Sequence, residues 1–418
     1  MTPHDPTRAS ASALARVVGD TADFADAWGR RPSLFNGPGY EDLLNLAAVD
    51  ELLSTRGLRT PFLRVAKNGS TLPERSFTAA GGVGAAIGDQ VSDPQLARHF
   101  ADGATIVLQG LHRTWAPIID FAADLATELG HPVQANAYVT PPQSQGFSAH
   151  YDVHDVFVLQ LAGEKRWIIH EPVLQWPLRS EPWEGGGRRD EVARAAEADP
   201  VLDVVLTPGD CLYLPRGYLH AATALGGVSA HLTLGVHVWT RRHLATEIVE
   251  RALASADDLR RPLALGVDVG RVTDIADDAA AVRAALVAAI EAVPDDDLAR
   301  LLDARAYDTG RAAPISPLAQ AAATRDLNEH TPVVVRAHLR LRRITEESGT
   351  RLRGRGVDVV VDAPEALLDT LLDGTTHTCA DLAADHSDAA GVKDLVVALL
   401  RAGVLVPAGE GLGGNGVG

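Results

Sequence analysis

The chain has 418 residues, which as a soft prior accommodates two or three domains, and its 46% of hydrophobic residues is enough for a sizeable core. Its formal net charge of -17 argues against broad, nonspecific binding to nucleic acid, because such binding needs a basic surface. The same acidity is compatible with a basic polypeptide partner or with a role in solubility alone.

The first 240 residues are predicted to form a β domain with helices before it. Residues 1 to about 60 have the pattern of mixed helix and turn, and residues 60 to 240 consist of short apolar or alternating runs. Gly, Pro and Asn separate these runs, as in an antiparallel β sandwich or barrel. One helix is predicted inside this region, from about Trp115 to Leu129, and the segment around 184 to 199 is predicted to be a surface insertion.

The remaining residues predict three further parts. Residues 241–330 are Ala-rich with helical spacing, and they predict a helical domain. Residues 331–407 have the order strand, helix, helix, helix, strand, which suggests a winged-helix-like domain. Residues 408–418 are Gly-rich and are predicted to be a disordered tail. The predicted fold class is therefore mainly β plus α, with the β domain and its N-terminal helices at 1–240.

A cytoplasmic location is expected from features that the sequence lacks. No apolar run of about 18 residues is present, so no membrane-spanning helix is expected. The N-terminal residues do not combine a basic segment with a long apolar core, so a secretory signal is not expected either. The two cysteines, Cys211 and Cys379, have no spacing typical of a disulfide framework or a zinc site, which fits a reducing compartment.

A candidate metal site combines two separated motifs. His150 and Asp152 lie two residues apart in GFSAHYDVHDVFVLQL. On a strand, residues i and i+2 project to the same face, so this imidazole and this carboxylate are predicted to point into one space. GDCLYLPRGYLH then predicts a strand, a tight turn and a return strand that begins near His220. Such a hairpin can bring His220 opposite the other two side chains in a closed barrel.

Two histidines and one carboxylate on one side of a metal leave adjacent coordination positions open, as in non-haem Fe(II) oxygenases. A bidentate co-substrate and O2 can then bind together, whereas a structural zinc site fills all its positions and usually uses cysteine. Among the other histidines, His154 is interpreted as a non-ligand. His231 is a further candidate pocket residue, and hydrogen-bonded barrel residues are the preferred interpretation of His170 and His237.

A co-substrate pocket is predicted around Lys165, one of only three lysines in the chain. A hairpin turn at residues 162–164 is expected to place this cation across the barrel from the metal. There it could form charge-assisted hydrogen bonds with the distal carboxylate of a dicarboxylic co-substrate. Asn136 and Tyr138 alternate onto one face of the preceding strand and are candidates for further hydrogen bonds, although both could be ordinary strand residues.

At this point the sequence resembles a known family. NAYVTPPQSQGFSAHYDVHDVFVLQLAGEKRW and GDCLYLPRGYLHAA are similar to the JmjC-type cupin hydroxylases, specifically the ribosomal oxygenase group. The resemblance implies a double-stranded β-helix (cupin, or jelly-roll) domain, a helical segment that dimerises and a winged-helix end. It also implies an enzyme that uses Fe(II), 2-oxoglutarate and O2 to hydroxylate ribosomal protein side chains, arginine in bacterial members and histidine in eukaryotic ones.

Carried over by position, the resemblance makes His150, Asp152 and His220 the iron ligands and Lys165 the residue that binds the distal carboxylate of 2-oxoglutarate. Asn136 matches a polar residue near the co-substrate, Tyr138 one near the substrate, and His231 a polar pocket residue. The run TPPQSQGF is more similar to the histidyl-type members.

Other functions remain open on sequence alone. The same oxygenase chemistry could act on a tRNA base, a peptide natural product or a small metabolite, and a metal-dependent isomerase could use the same barrel. A non-enzymatic reading makes the cupin a ligand sensor and the winged-helix-like end a nucleic-acid-binding module. The last two predicted helices carry Lys393 and Arg401 among aspartates, which is a poor phosphate-binding surface. The resemblance makes a protein substrate and a homodimer the expected partners.

Overall fold

The computed structural model describes residues 12–67, 69–185, 187–385 and 389–409. The strands are β1 Ser33–Asn36, β2 Leu63–Lys67, β3 Ser70–Thr71, β4 Thr78–Ala79, β5 Gln90–Val91, β6 Thr105–Leu108, β7 Val133–Thr140, β8 Asp155–His170, β9 Leu202–Leu206, β10 Asp210–Leu214, β11 Leu219–Val236, β12 Val333–Val335, β13 Arg342–Glu346, β14 Gly349–Gly354, β15 Val357–Val361 and β16 Leu405–Pro407.

The helices are α1 Ala13–Val18, α2 Thr21–Ala27, α3 Leu46–Ser54, α4 Asp93–Ala101, α5 Leu111–Thr114, α6 Ala116–Leu129, α7 Arg188–Ala195, α8 Arg241–Ser255, α9 Val272–Glu291, α10 Asp295–Thr309, α11 Pro317–Arg325, α12 Glu365–Leu371, α13 Cys379–Asp385 and α14 Ala389–Ala402. Short 3-10 helices lie at Glu74–Ser76 and Asp257–Arg260.

A nine-stranded antiparallel sheet forms the centre of the first part of the chain. Its order is β1-β10-β8-β11-β7-β6-β2-β3, and β9 also pairs with β8. The antiparallel β architecture predicted from the alternating runs is therefore confirmed. Strands β8 and β11 are the longest, with 16 and 18 residues, and they pair with each other along most of their length.

The predicted hairpin at residues 162–164 is wrong. Gly163 has a positive φ of 61°, but the chain bends there and continues as β8 instead of reversing. Both halves of β8 pair with β11, which shows a matching irregularity between Leu225 and Ala230. A Cβ atom at Gly163 would lie 2.2 Å from the carbonyl oxygen of Val228, so the close approach of the two bends requires glycine.

The sheet buries apolar side chains on both faces. On β8, Phe157 and Leu159 join the larger core, which also contains the helix α6 residues Phe121 and Leu125. The intervening β8 residue Val158 belongs to a second cluster with side chains of β9 and β10. Because both faces are covered, β8 carries a continuous apolar run and not an alternating one. Each of these fully buried side chains contributes about 1.5–3 kcal/mol to folding.

The helix predicted from about Trp115 to Leu129 is α6, which begins one residue later. Pro117 lies in its first turn, where a missing backbone N–H costs nothing, and Gly130 ends it in the left-handed conformation. The helix therefore follows the punctuation that the sequence provides at both ends.

The described residues form two compact units. One contains the residues up to Val238 together with Ala313–His338 and the residues from Ala363 onward, and the other contains Trp239–Ala312 and Leu339–Asp362. The predicted element order for 331–407 omitted a three-stranded sheet, β13-β14-β15, between β12 and α12. Strand β13 is almost entirely exposed, so it lacks the alternation of apolar residues that identifies a strand.

The predicted helical character of 241–330 agrees with α8 to α11. Among the described residues, no helix combines the length and the apolar character needed to cross a membrane. Most of the predicted disordered tail, residues 410–418, lies outside the described residues.

Candidate metal centre

His150, Asp152 and His220 converge on one point. One potential ligand atom from each residue lies within 4.8 Å of the other two, and the Nε2 atom of His220 is 3.9 Å from the Oδ2 atom of Asp152. The two imidazole rings lie 4.4 Å apart, centroid to centroid. Among the described residues this is the one group of three or more His, Cys, Asp or Glu side chains with such spacing.

Both histidines have their Nδ1 atoms engaged by the backbone. The Nδ1 atom of His150 lies 2.7 Å from the carbonyl oxygen of Ser148, and that of His220 lies 3.1 Å from the carbonyl oxygen of Tyr218. Because a carbonyl only accepts, each Nδ1 carries the proton and each Nε2 keeps a free lone pair. Histidine ligands are commonly oriented in this way by a hydrogen bond from the other ring nitrogen. The donor set therefore fits a divalent metal.

The backbone brings the two motifs together differently from the prediction. His150 and Asp152 lie in an extended segment just before β8 and not in the strand itself. His150 forms an isolated antiparallel bridge with His220, which is the second residue of β11. Their backbones exchange two hydrogen bonds, of 3.2 and 2.8 Å, so the bridge holds the ligands opposite each other.

A buried polar network holds the turn that precedes His220. The carboxylate of Asp155 accepts hydrogen bonds from the hydroxyl of Tyr213 at 2.5 Å and from the backbone and side chain of Arg216, both at 3.2 Å. Asp155 is fully buried. The network therefore links the start of β8 to the Pro215-Arg216-Gly217 turn.

The electrostatics favour metal-binding protonation states. Burial, with a smaller contribution from the nearby His150, lowers the pKa of His220 to about 4, although Asp152 opposes this shift. Burial raises the pKa of Asp152, but the surrounding histidines, led by His154, outweigh burial and leave that pKa below its usual value. A neutral imidazole and an ionised carboxylate at neutral pH are the forms that bind metals.

Lys165 lies in the interior, although the predicted hairpin does not place it there. Its side chain is 4% exposed, and its Nζ atom donates a hydrogen bond to the Oγ1 atom of Thr140 at 3.1 Å. Burial lowers the pKa of Lys165 to about 7. An interior ammonium beside a hydroxyl, with no carboxylate hydrogen-bonded to it among the described residues, is suited to binding an anion.

Tyr138 and His231 form a stacked pair in the same interior. Their rings are parallel within 1° at 4.9 Å, and the edge of Trp167 packs against His231 at 5.4 Å. Burial lowers the pKa of His231 well below its usual value, and the charge of Lys165 adds to this effect. His231 is therefore neutral at physiological pH. Burial raises the pKa of Tyr138 to about 12, so its phenol stays protonated.

Asn136 shares the strand face of Tyr138, as the alternation along β7 predicts. Its side-chain oxygen accepts a hydrogen bond from the backbone N–H of Gly110 at 3.0 Å. This bond commits the carbonyl oxygen of Asn136 to the protein and leaves its side-chain NH2 group as the donor for a ligand.

The other predicted histidine candidates are not members of the ligand group. The Nε2 atom of His154 lies 3.2 Å from the side-chain amide of Gln134, and its ring packs edge-on against His237 at 5.4 Å. His170 is buried at the end of β8. None of the three belongs to the group of converging ligands among the described residues.

Sequence reasoning missed two side chains near the site, Arg64 and Trp183. Arg64 lies on β2 between Leu63 and Val65, which are both fully buried. A charged residue between two fully buried apolar residues is the signal that could have identified it. Trp183 lies next to the predicted surface insertion, and its ring is 6.3 Å from that of His150. The insertion therefore begins beside the metal ligands, which its Gly-rich, polar composition did not indicate.

An antiparallel sheet that carries two histidines and one carboxylate in this arrangement is consistent with a cupin whose metal site is of the non-haem oxygenase type. Residues 111–244 match the JmjC domain family. The chain therefore contains a JmjC domain, and the resemblance predicted from the sequence is confirmed.

Curated relatives include ribosomal oxygenases. The chain is 43% identical over 106 residues to the bifunctional lysine-specific demethylase and histidyl-hydroxylase NO66 of Drosophila persimilis. The matched segment covers 25% of this chain and 14% of that protein. The chain is 42% identical over 121 residues to human ribosomal oxygenase 1, covering 28% of this chain and 18% of that protein. The chain thus spans a small part of the length of these relatives.

Solved structures support the fold over most of the chain. A structure of the Escherichia coli ribosomal oxygenase YcfD superposes with a TM-score of 0.52 at 18% identity, covering 93% of this chain and 98% of that one. Another YcfD structure contains cobalt and 2-oxoglutarate and has a TM-score of 0.50 at 17% identity. At this identity the likeness concerns the fold alone.

Proposed function

We propose that this protein is an Fe(II)- and 2-oxoglutarate-dependent dioxygenase that hydroxylates a histidine or arginine side chain of a ribosomal protein. The observation that carries this proposal is the convergence of His150, Asp152 and His220 beside the sheet that buries Lys165. When bound, the iron activates O2, and the overall reaction converts 2-oxoglutarate, O2 and a substrate C–H into succinate, CO2 and a C–OH group.

The side chains of the protein divide the remaining work. His150, Asp152 and His220 would hold the metal and leave one side open. Lys165 would pair with the distal carboxylate of 2-oxoglutarate through a charge-assisted hydrogen bond. The NH2 group of Asn136 could add a further hydrogen bond to that co-substrate.

Tyr138 and His231 would form a neutral wall between the co-substrate and the polypeptide. Their stacking fixes both rings, and neither carries a charge at neutral pH. A rigid, preorganised pocket positions a substrate C–H bond and excludes water from the reaction.

The decisive test is Fe(II)-dependent formation of succinate from 2-oxoglutarate by the purified protein. His220→Ala should abolish it, whereas the exposed His330, which lies beside Glu329, provides the control His330→Ala. Mass spectrometry of ribosomal proteins from strains with and without the gene should then find the mass of one added oxygen atom. Absence of 2-oxoglutarate turnover under all conditions would contradict the proposal.

We also propose that the protein is a cytoplasmic homodimer whose interface uses residues 241–330. Helix α9 contains no buried residue, and it exposes Val272, Val282 and Val287. An exposed apolar face of this kind typically marks a contact between proteins. Sedimentation of wild type and Val287→Glu tests this, and a wild-type monomer would contradict it.

Residues 331–407 are proposed to act as a winged-helix-like packing module and not as a nucleic-acid-binding one. The arginines of residues 331–407 that could contact phosphates are largely neutralised by ion pairs with carboxylates. Arg340 and Arg342 both pair with Asp303, and Arg351 pairs with Glu346. Nucleic acid is therefore not among the proposed partners, and filter binding with tRNA tests that exclusion.

A further inference from the structure

Arg64 belongs to a row of residues that lie directly opposite one another on adjacent strands. It pairs with Val107 of β6, Val107 pairs with Tyr138 of β7, and Tyr138 pairs with His231 of β11. Directly opposed residues in antiparallel strands share a face of the sheet. Arg64 therefore lies on the same face as the stacked rings of Tyr138 and His231.

The guanidinium of Arg64 has no hydrogen bond or ion pair with any residue that the structure describes. Its Nε atom is buried and has no partner. Its charge nevertheless reaches the site: burial is the largest single influence on the pKa values of Asp152 and Tyr138 and raises both, whereas the positive charge of Arg64 is among the influences that lower each of them. Arg64 thus lies close enough to the metal ligand and to the phenol to affect both.

A buried donor without an acceptor is unfavourable for folding, and most proteins avoid it. Arginine offers five N–H donors in a planar fork and no acceptor. A bound molecule that supplies an acceptor would satisfy Arg64, and one that supplies only donors would not. The unpaired Nε–H of this partly exposed arginine is thus an independent indication that the site accepts a hydrogen-bond acceptor.

The walls near the metal ligands are aromatic. The ring of Phe147 lies 5.8 Å from that of His150 on one side, and the ring of Trp183 lies 6.3 Å from it on another. Phe147 also packs edge-on against Tyr138 at 6.4 Å. Flat aromatic surfaces of this kind suit any planar side-chain group, so the choice between an imidazole and a guanidinium falls to the charge of Arg64.

We propose that Arg64 is a specificity-determining residue that selects a neutral, hydrogen-bond-accepting side chain, an imidazole, and disfavours a guanidinium or an ammonium. This rests on the proposed polypeptide hydroxylation and chooses between its two target residues. A substrate arginine would place a second cation beside Arg64 in a partly buried site and would offer no acceptor to it. A neutral imidazole has one acceptor nitrogen and carries no charge.

The test uses two peptide libraries with randomised flanks, one with a fixed central histidine and one with a fixed central arginine. The full-length protein is supplied with Fe(II), 2-oxoglutarate and O2, and oxygen addition to the central residue is quantified by mass spectrometry alongside succinate. The wild type should oxidise the histidine library at least about tenfold faster, as expected for rejection of a like charge.

The variants measure whether Arg64 sets this preference. Arg64→Gln should reduce the ratio of the two rates, and Arg64→Glu should shift it in favour of the arginine library. Arg166→Gln is the control, because Arg166 is an exposed arginine paired with Asp203, and it should keep the wild-type ratio. Comparing two libraries with one preparation removes any effect of partial misfolding, which scales both rates equally.

Each outcome separates the two proposals. Equal oxidation of both libraries by the wild type, or an unchanged ratio in Arg64→Glu, would overturn the role of Arg64 while the oxygenase stands. Succinate formation with no oxygen added to the central histidine would also overturn the role of Arg64. No 2-oxoglutarate turnover in any sample would instead defeat the proposed function itself.

Discussion

The backbone N–H of Gly217 donates a hydrogen bond to the carbonyl oxygen of Asp152 at 3.1 Å. This bond ties the turn that precedes His220 to Asp152. Gly217 has a φ of 94°, and a Cβ atom there would lie 2.6 Å from the carbonyl oxygen of Leu174. Glycine is therefore required both by the backbone conformation and by the space around it.

Gly217→Ala should lower the unfolding free energy by about 2–4 kcal/mol, because strain and a backbone clash add together. It should also weaken Co(II) binding, since the turn positions both Asp152 and His220. Gly130→Ala is the matched control: Gly130 has a φ of 69° with nothing within 4 Å of the added atom. The control should lose about 1 kcal/mol and keep its metal affinity. Equal metal affinity in both variants would contradict a positioning role for the turn.

Asp152→Asn should lower Co(II) affinity by at least about 100-fold, because it removes the only anionic ligand among the described residues of the group. His154→Gln is the comparison, since His154 lies two residues further on and bonds to Gln134. It should cost less than about tenfold. Metal titration followed by the visible absorption of Co(II) measures both. An equal loss in the two variants would mean that the metal occupies a different position.

The sequence predicted which three side chains converge better than it predicted the backbone around them. His150, Asp152 and His220 could be recognised because their spacing follows from local geometry, two residues on an extended segment and one after a tight turn. Lys165 was predicted in the interior through a hairpin that does not exist, because a glycine bend and a glycine turn leave the same local signature. The correct interior position follows from its burial in β8.

Long-range contacts were beyond sequence reasoning. Arg64 meets the site through three strand pairings, and Trp183 approaches His150 across a gap of 33 residues that no local pattern encodes. Strand β13 was missed for a different reason. Its exposed Arg342 and Arg343 give it the composition of a solvated loop, and the strand is defined by pairing with β14 instead of by burial.

Binding of 2-oxoglutarate should weaken as the pH rises above about 7. Burial lowers the pKa of Lys165 to about 7, so the free site holds an ammonium below this pH and a neutral amine above it. A dicarboxylate needs the ammonium, so binding above pH 7 must take up a proton. Above pH 7 the affinity for 2-oxoglutarate should then approach a tenfold loss for each pH unit. Each tenfold loss corresponds to about 1.4 kcal/mol of binding free energy. Below pH 7 the affinity should be level.

Lys165→Arg separates this cause from other titrations at the site, because a guanidinium stays charged throughout the range. The variant should bind 2-oxoglutarate with a flatter profile between about pH 7 and pH 9, whatever its absolute affinity. Titration calorimetry in buffers of different ionisation enthalpy measures the proton uptake directly. The same slope in both proteins would assign the pH dependence to a group other than Lys165.

Asp155→Asn should destabilise the fold and loosen the metal site together. Asp155 and Arg216 are both mostly buried, and removing one partner leaves an uncompensated charge, at a cost of about 3–5 kcal/mol. The turn that carries Arg216 leads to His220, so Co(II) affinity should fall about tenfold, as for other groups that orient ligands.

Arg166→Gln is the control. Arg166 lies on β8, as Asp155 does, and its exposed ion pair is with Asp203 of β9. Breaking this pair should cost less than about 1 kcal/mol and leave metal affinity unchanged. Thermal unfolding and Co(II) titration of both variants provide the comparison. If Asp155→Asn lost stability but kept full metal affinity, the network would support the sheet without positioning His220.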